Sequence, residues 1–237
     1  MAKRVGLLQI RGGPEAEQHE LECVRESAGL GEKHLEAHNV VDRRALDWTE
    51  LHGIDALIIG GSGDHSVTQD YAFTPWLEDL VLRAVDDGTP VFGICWGHHF
   101  LGRIFGGRVV TDPARKEVGT FDVELNAVGL NDPLFHGHPP RFGAQLVHHD
   151  AIIDLPAGFI ELGHSSACPH QVIRMVDRPV YGSQFHGEMT HEQLRQRLLM
   201  YRDEYLEGED HLQTLVDGLR PTPEAHGVLR RFLELYT

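Results

Sequence analysis

Two rhythms of apolar and polar positions follow one another along the chain. At the start, "RVGLLQIRG" (Arg4 to Gly12) is a short apolar run closed by glycine. The polar, acidic stretch after it, "PEAEQHELECVRESAGLG", has helical spacing, so the pair reads as a strand followed by a helix. "LEAHNVV" near Leu35 to Val41 predicts a second strand. The unbroken apolar run of "IDALIIGG" (Ile54 to Gly61) predicts a third, covered on both faces as in a parallel sheet. The next helix is bounded by Thr74 as N-cap, Pro75 at the first helical position and Gly88 as the stop. Leu77, Leu80, Val81, Ala84 and Val85 form its apolar stripe. It leads into "PVFGIC", the fourth strand.

From Arg108 to Gln184 the rhythm changes. "VGTFDVELN", "FGAQLVHHD", "GFIELGHSS", "QVIRMVD" and "PVYGSQFHGE" are strand-like and joined by turns rich in proline and glycine. They predict antiparallel or mixed strands added to the same sheet system, without a linker that would separate two domains. After Glu188, Thr190 and Gln193 form a capping box for a helix with the stripe Leu194, Leu198, Tyr201 and Tyr205. A last helix starts at Thr222-Pro223 and buries Leu229, Phe232, Leu233 and Tyr236. The expectation is one α/β domain over residues 1–237, with a C-terminal helical extension at about 207–237.

Composition narrows the classes. A chain of 237 residues that is 41% hydrophobic and 24% charged supports a packed core and excludes disorder. A formal net charge of -15 leaves no basic field for nucleic acid. No run approaches the length of a membrane span, and the start is too short in apolar residues for a signal peptide, so a cytoplasmic protein is expected. The three cysteines, Cys23, Cys95 and Cys168, lack paired spacing, and the 17 histidines are scattered, so neither disulfides nor a metal is expected. Cys23 and Cys168 read as packing residues. His98 and His99 point about 100° apart on a helix and do not make a ligand pair. His148, His149 and Asp150 suit a satisfied strand-end polar cluster at least as well as a site mouth, and Glu117 suits a solvated strand edge as well as the fastening of a loop near a substrate.

Cys95 is the exception. In "GICWGHHF" it sits where strand becomes helix, with Gly93 and Gly97 two positions to either side. Such a nucleophile elbow exposes the side chain, while the helix N-terminus beyond favours a thiolate and offers N–H donors to an oxyanion. Trp96 N–H is the first such donor. A buried cysteine explains the pentapeptide as well until a partner is found. "VYGSQFHGEMT" supplies one: His186 and Glu188 at the end of an apolar strand share a face by the period of two, so Glu188 can orient His186 and His186 can take the thiol proton. In "LIIGGSGDHS", Gly60 and Gly61 allow close approach to a ligand, and an N–H near Gly61 is a candidate second oxyanion donor.

In this order, "GGSGD", "GICWGHHFLGRIFGG" and "GSQFHGE", with roughly ninety residues between cysteine and histidine, resemble the class I, triad-type glutamine amidotransferases. "KEVG", "DPLF", "HHD" and "SSACPHQ" extend the similarity over about Val5 to Leu206. The closest pattern is the stand-alone branch, similar to the amidotransferase domain of GMP synthase and to plant-type γ-glutamyl peptidases. The resemblance implies a flavodoxin-like three-layer sandwich with a mostly parallel central sheet, a Cys95–His186–Glu188 triad and no cofactor. It implies hydrolysis of the γ-amide of glutamine, or of a γ-glutamyl compound, through a γ-glutamyl thioester that releases ammonia or an amine. The partners it implies are the small-molecule substrate and, for the amidotransferase reading, a synthetase partner subunit that takes the ammonia. The alternative is a self-sufficient γ-glutamyl peptidase; a non-catalytic binding or regulatory protein is the third reading. Two positions depart from the family: His99 stands where a glutamine usually helps hold the substrate, and Gly187 replaces the proline between the histidine and the glutamate.

Overall fold

The computed structural model describes residues 3–41, 45–202 and 209–237. Strands β1 (Val5–Gln9), β2 (Leu35–Asn39), β3 (Ala56–Ile59) and β4 (Val91–Ile94) fall where the apolar runs predict them. β6 (Glu117–Leu125), β7 (Arg141–His148), β9 (Phe159–His164), β10 (Val172–Met175) and β11 (Val180–Ser183) follow in the second half. Among the described residues these make one nine-stranded sheet in the order β2-β1-β3-β4-β11-β10-β9-β6-β7. Pairings from β2 through β11 are parallel, and those from β11 to β7 are antiparallel. The change of rhythm near Arg108 in the sequence is thus a change of pairing mode. Two strands not singled out in the sequence, β5 (Arg108–Thr111) and β8 (Asp150–Asp154), pair only with each other in a separate two-stranded sheet. The chain turns over at His149, and β8 leaves the main sheet there.

Helices cover both faces, which is why β1, β3, β4 and β11 are buried at every position. On one face, Val24 and Ala28 of α1 (Pro14–Ala28) pack with Leu229, Phe232 and Leu233 of the C-terminal helix over Val5, Leu7 and Phe92. On the other, Leu77, Leu80 and Val81 of α2 (Thr74–Asp86) and Phe100 and Leu101 of α3 (Trp96–Ile104) cover Leu57, Ile59 and Val91. The result is a flavodoxin-like three-layer α/β sandwich.

Local signals behave largely as expected. Thr190 and Gln193 form the capping box of α5 (His191–Met200), and Pro75 lies in the first turn of α2. Thr74, however, is the first helical residue; its hydroxyl accepts Tyr71 N–H at 3.0 Å, and Phe73 occupies the cap position. A short helix α4 (Ala127–Leu130), capped by Asn126, precedes β7. The C-terminal region holds α6 (Glu209–Gly218), α7 (Pro223–His226) and α8 (Val228–Tyr236). Leu229, Phe232 and Leu233 are buried, whereas Tyr236 is half-buried with its hydroxyl 2.8 Å from that of Tyr181. Tyr205, expected on the stripe of α5, lies outside the described residues, as does the start of the expected extension.

Candidate active site

β4 delivers the chain to Cys95 and α3 begins at the next residue. Cys95 has φ 50° and ψ −98°, a conformation that costs a side-chain-bearing residue free energy and persists only when its surroundings impose it. The surroundings do so through three backbone bonds. Cys95 N–H donates to Ser183 O at 2.8 Å, His99 N–H donates to Cys95 O at 3.0 Å, and Gly97 N–H donates to Gly60 O at 3.1 Å. The flanking glycines are sterically required: a Cβ on Gly93 would lie 2.5 Å from Gly97 O, and one on Gly97 would lie 2.3 Å from Ile59 O. The elbow is therefore wedged between two strands, and no larger residue fits at either glycine.

His186 meets Cys95, though not by the route the alternation suggests. β11 ends at Ser183, so His186 and Glu188 lie in the turn beyond it and not on one strand face. Tertiary bonds set the turn: His186 N–H donates to Gln145 O of β7 at 2.9 Å, and Met189 N–H to His186 O at 3.3 Å. His186 Nδ1 is 2.7 Å from Glu188 Oε1 with both side chains buried, and the imidazole lies beside Cys95, both of them against Gly61. Burial alone would strip the imidazole of its proton. The charge of Glu188, with Cys95 adding to it, outweighs that and raises His186 to about 10. Burial pushes Glu188 upward, but His186 wins and holds its carboxyl below the usual range. Gly187 also has a reason: a Cβ there would lie 2.7 Å from Ala225 O, so α7 occupies the space a proline ring would need.

The glycine turn after β3 differs from expectation. Gly60 N–H donates to Leu8 O at 2.9 Å, and Gly61 N–H to Glu20 Oε1 at 3.1 Å. Neither is free to meet an oxyanion in this conformation. Trp96, as the first residue of α3, has no acceptor four residues back inside its helix, so its N–H remains the candidate donor beside the sulfur. Gly61 is nonetheless at the centre: a Cβ on it would be 3.1 Å from His186 Cε1 and 3.7 Å from Cys95 Cβ. Glu20 is a residue the sequence did not single out. It pairs with Arg11 at 2.5 Å, both side chains at most 2% exposed, and accepts Gln9 Nε2 at 3.1 Å. In the sequence Glu20 is one acid among several on an acidic helix, and nothing marks it as buried.

Sulfur, glycine turn and β7–β8 corner enclose a cavity of about 310 Å³, lined by Asp64, Tyr71, Cys95, Trp96, His99 and the His148–His149–Asp150 corner among others. The strand-end cluster thus lies at the site. Asp150 is structurally committed, its carboxylate accepting Ser66 Oγ and Val67 N–H on one oxygen and Thr111 Oγ1 on the other. His99 and His98 separate as their spacing predicts: His99 lines the cavity, while His98 packs against Gly182. Burial lowers His99 to about 4 despite the nearby charge of Asp150, so its ring is neutral at ordinary pH. His99 Nε2 is 2.6 Å from Gln184 Oε1, and Gln184 Nε2 is 3.8 Å from Cys95 Sγ.

Among the described residues, Glu117, His148 and Cys168 place possible metal-ligating atoms within 4.8 Å of one another. Glu117 Oε2 is 3.0 Å from His148 Nε2 and accepts Gln171 Nε2 at 2.7 Å, so hydrogen bonds already occupy that oxygen. Cys168 is buried and its thiol is pushed up to about 12, while burial drives Cys23 well above the ordinary thiol range. Both are protonated packing residues.

Residues 32–203 match the family described as glutamine amidotransferase class-I. The chain belongs to this family. As a class-I amidotransferase it is 36% identical over 144 residues to the glutamine-hydrolyzing GMP synthase of Thermosipho africanus, covering 61% of this chain and 26% of that protein. It spans about a quarter of the length of such GMP synthases. Archaeoglobus fulgidus has a relative named as one subunit of a glutamine-hydrolyzing GMP synthase. To that protein the chain is 31% identical over 144 residues, which cover 61% of this chain and 72% of that one. The amidotransferase fold is shared with a glutamine amidotransferase from Thermotoga maritima, with a TM-score of 0.77 at 20% identity over 100% of this chain and 98% of that one. Among the described residues no helix is long and apolar enough to cross a membrane.

Proposed function

We propose that the protein hydrolyses the γ-amide of glutamine through Cys95, His186 and Glu188. The observation that carries this reading is the joint geometry of a cysteine at a strained elbow and, beside it at Gly61, an imidazole bonded to a buried carboxylate. In the cavity, Cys95 Sγ attacks the amide carbon, and the oxygen's developing charge meets Trp96 N–H. With Nδ1 engaged by Glu188, His186 gives its Nε2 proton to the amide nitrogen as the C–N bond breaks and ammonia leaves. A water then loses a proton to His186 and attacks the thioester; glutamate departs and the sulfur is restored. Gly60 and Gly61 serve by their size, Gly60 leaving room for the Glu20 carboxylate and Gly61 for Cys95 and His186. His99 lines the substrate cavity and acts on the chemistry through Gln184.

Passage of the ammonia to a separate synthetase is supported by the name of the Archaeoglobus fulgidus relative, which makes it one subunit of a larger enzyme. Independent action on γ-glutamyl amides or peptides is the second reading. It is favoured by His99, whose Nε2 is taken by Gln184, so the amino-acid end of the substrate must be held by other groups. The test is ammonia, amine and glutamate release from glutamine and from a panel of γ-glutamyl compounds. Release from glutamine that rises with a synthetase partner supports the first reading, and release from γ-glutamyl peptides by the protein alone the second. No release from any of them overturns both.

The pH dependence has a definite sign. Because His186 is raised to about 10, its proton is present at neutral pH and lost only as pH rises through that value. kcat/KM is therefore expected to hold from pH 7 to 9 and fall near 10. A falling limb centred near 6.5, the ordinary histidine value, would contradict the pairing with Glu188.

A further inference from the structure

Cys95 Sγ has a neighbour that opposes its ionisation. Val147 O lies 3.6 Å away and suits a thiol S–H, whose proton it accepts. A thiolate there needs donors, and His186 is one. The other polar group at the sulfur is the side-chain amide of Gln184, with Nε2 at 3.8 Å. An amide has an acceptor end and a donor end of nearly the same shape, so its effect on the sulfur depends on which end faces it. Its oxygen would repel a thiolate, whereas its NH₂ group stabilises one. His99 Nε2, 2.6 Å from Gln184 Oε1, binds the carbonyl end and leaves the NH₂ end for the sulfur. Gln184 and His99 are 1% and 2% exposed, and Gln184 N–H donates to Gln171 O at 2.8 Å, so the amide is fixed and free of competing water.

Resting on the assignment of Cys95 as nucleophile, we propose that Gln184 is a further catalytic residue whose amide N–H stabilises the Cys95 thiolate, and that His99 is the positioning residue that sets which end of that amide faces the sulfur. The exchange of the family's glutamine for His99 then has a meaning apart from substrate contact. A neutral imidazole carrying its proton on Nε2 acts as a donor toward Gln184, as the NH₂ end of an amide at this place also can.

Several other charged or titratable groups face the sulfur. His186 and Glu188 come from the turn after β11, and Arg11 with Glu20 lies behind the Gly61 turn. His148 and Asp150 lie at the β7–β8 corner, and Asp64 and His65 across the cavity. All of them persist in variants at 184 and 99, so a difference among those variants reports the amide.

The experiment is the rate of alkylation of Cys95 by iodoacetamide across pH, assigned by mass spectrometry and run without glutamine. Gln184→Met keeps shape and loses the donor; Gln184→Leu is the second variant should the first fold poorly. Either is expected to move the reactivity midpoint upward by about one pH unit, roughly a tenfold loss of thiolate below it. His99→Leu should shift it in the same direction, and His99→Gln, which can still donate to the Gln184 carbonyl, should remain near the wild-type value. The double variant Gln184→Met/His99→Leu should shift no further than Gln184→Met. An unchanged midpoint in folded Gln184→Met overturns the proposal, and so does full addition of the His99→Leu shift in the double variant. A shifted midpoint in a protein that leaves glutamine intact would uphold the amide's role while removing the glutaminase reading.

Discussion

Cys95→Ala is expected to lower ammonia release from the protein's amide substrate by at least about ten-thousandfold, because it removes the atom that forms the thioester. His186 and Glu188 cannot substitute for it: in the proposed sequence they move a proton and orient the group that moves it. The fold should hardly notice. Cys95 is 4% exposed and is held by backbone bonds to Ser183 and His99 that alanine keeps. The measurement that separates chemistry from folding is a second variant, Cys95→Gly. At φ 50° and ψ −98° the native residue stores strain of about 1–3 kcal/mol, which glycine releases. Glycine also gives the unfolded chain more freedom, at a cost of about 0.5–1 kcal/mol. Measured against Cys95→Ala, which has lost the same buried sulfur, the net expectation is a gain of about 1 kcal/mol in urea unfolding, in a protein with no measurable activity. An active Cys95→Ala protein would remove the thioester route, and a Cys95→Gly protein less stable than Cys95→Ala would mean that the elbow is not strained.

Glu20→Ala is expected to cost about 3–5 kcal/mol of stability, the largest structural effect foreseen for a single site here. Arg11 and Glu20 are both buried, so removing the carboxylate leaves a guanidinium in the interior without its counter-charge. The same oxygen that meets Arg11 also accepts Gly61 N–H, and the other accepts Gln9 Nε2, so three donors lose their acceptor together. Glu20→Gln keeps a hydrogen-bonding oxygen and should cost less. Arg11→Met/Glu20→Leu removes both charges and should recover much of the loss, since apolar replacement of a whole buried pair is often tolerated. Urea unfolding of the four proteins measures this. Equal loss in Glu20→Ala and in the double variant would show that packing, and not the unpaired charge, sets the cost. Because Gly61 lies against His186 and Cys95, the single variant should also lose activity at temperatures where it remains folded.

Much of this was legible in the chain. Continuous apolar runs declared the covered parallel strands, since a strand with helices on both faces has no solvent side to mark with polar residues. The elbow was legible because its signal is local: Gly93, Cys95 and Gly97 lie within five residues, and the demand behind Gly93 comes from Gly97 O in the same turn, although that behind Gly97 comes from Ile59 O of β3. Thr190 and Gln193 announced their helix for the same reason.

What failed was reasoning about faces and donors beyond the local strand. Period-two alternation placed His186 and Glu188 together correctly but on the wrong element, because a hydrogen bond from His186 N–H to β7 ends the regular strand earlier. Gly61 was expected to offer its N–H to substrate, and a carboxylate from α1 takes it. β5 and β8 went unnoticed in the sequence, and they pair with each other away from the main sheet.

By itself, then, the sequence determined the layered α/β architecture, the cysteine at its elbow and the histidine and glutamate that accompany it, because each is written in short-range spacing. Only the tertiary structure decided that Glu20 is buried with Arg11 behind the glycine turn, that Gly187 leaves room for α7, and that His99 meets the side-chain amide of Gln184. Those contacts join residues from 9 to 85 positions apart or depend on what packs against them. Burial and the direction of a hydrogen bond are properties of the surroundings, which no local pattern of residues encodes.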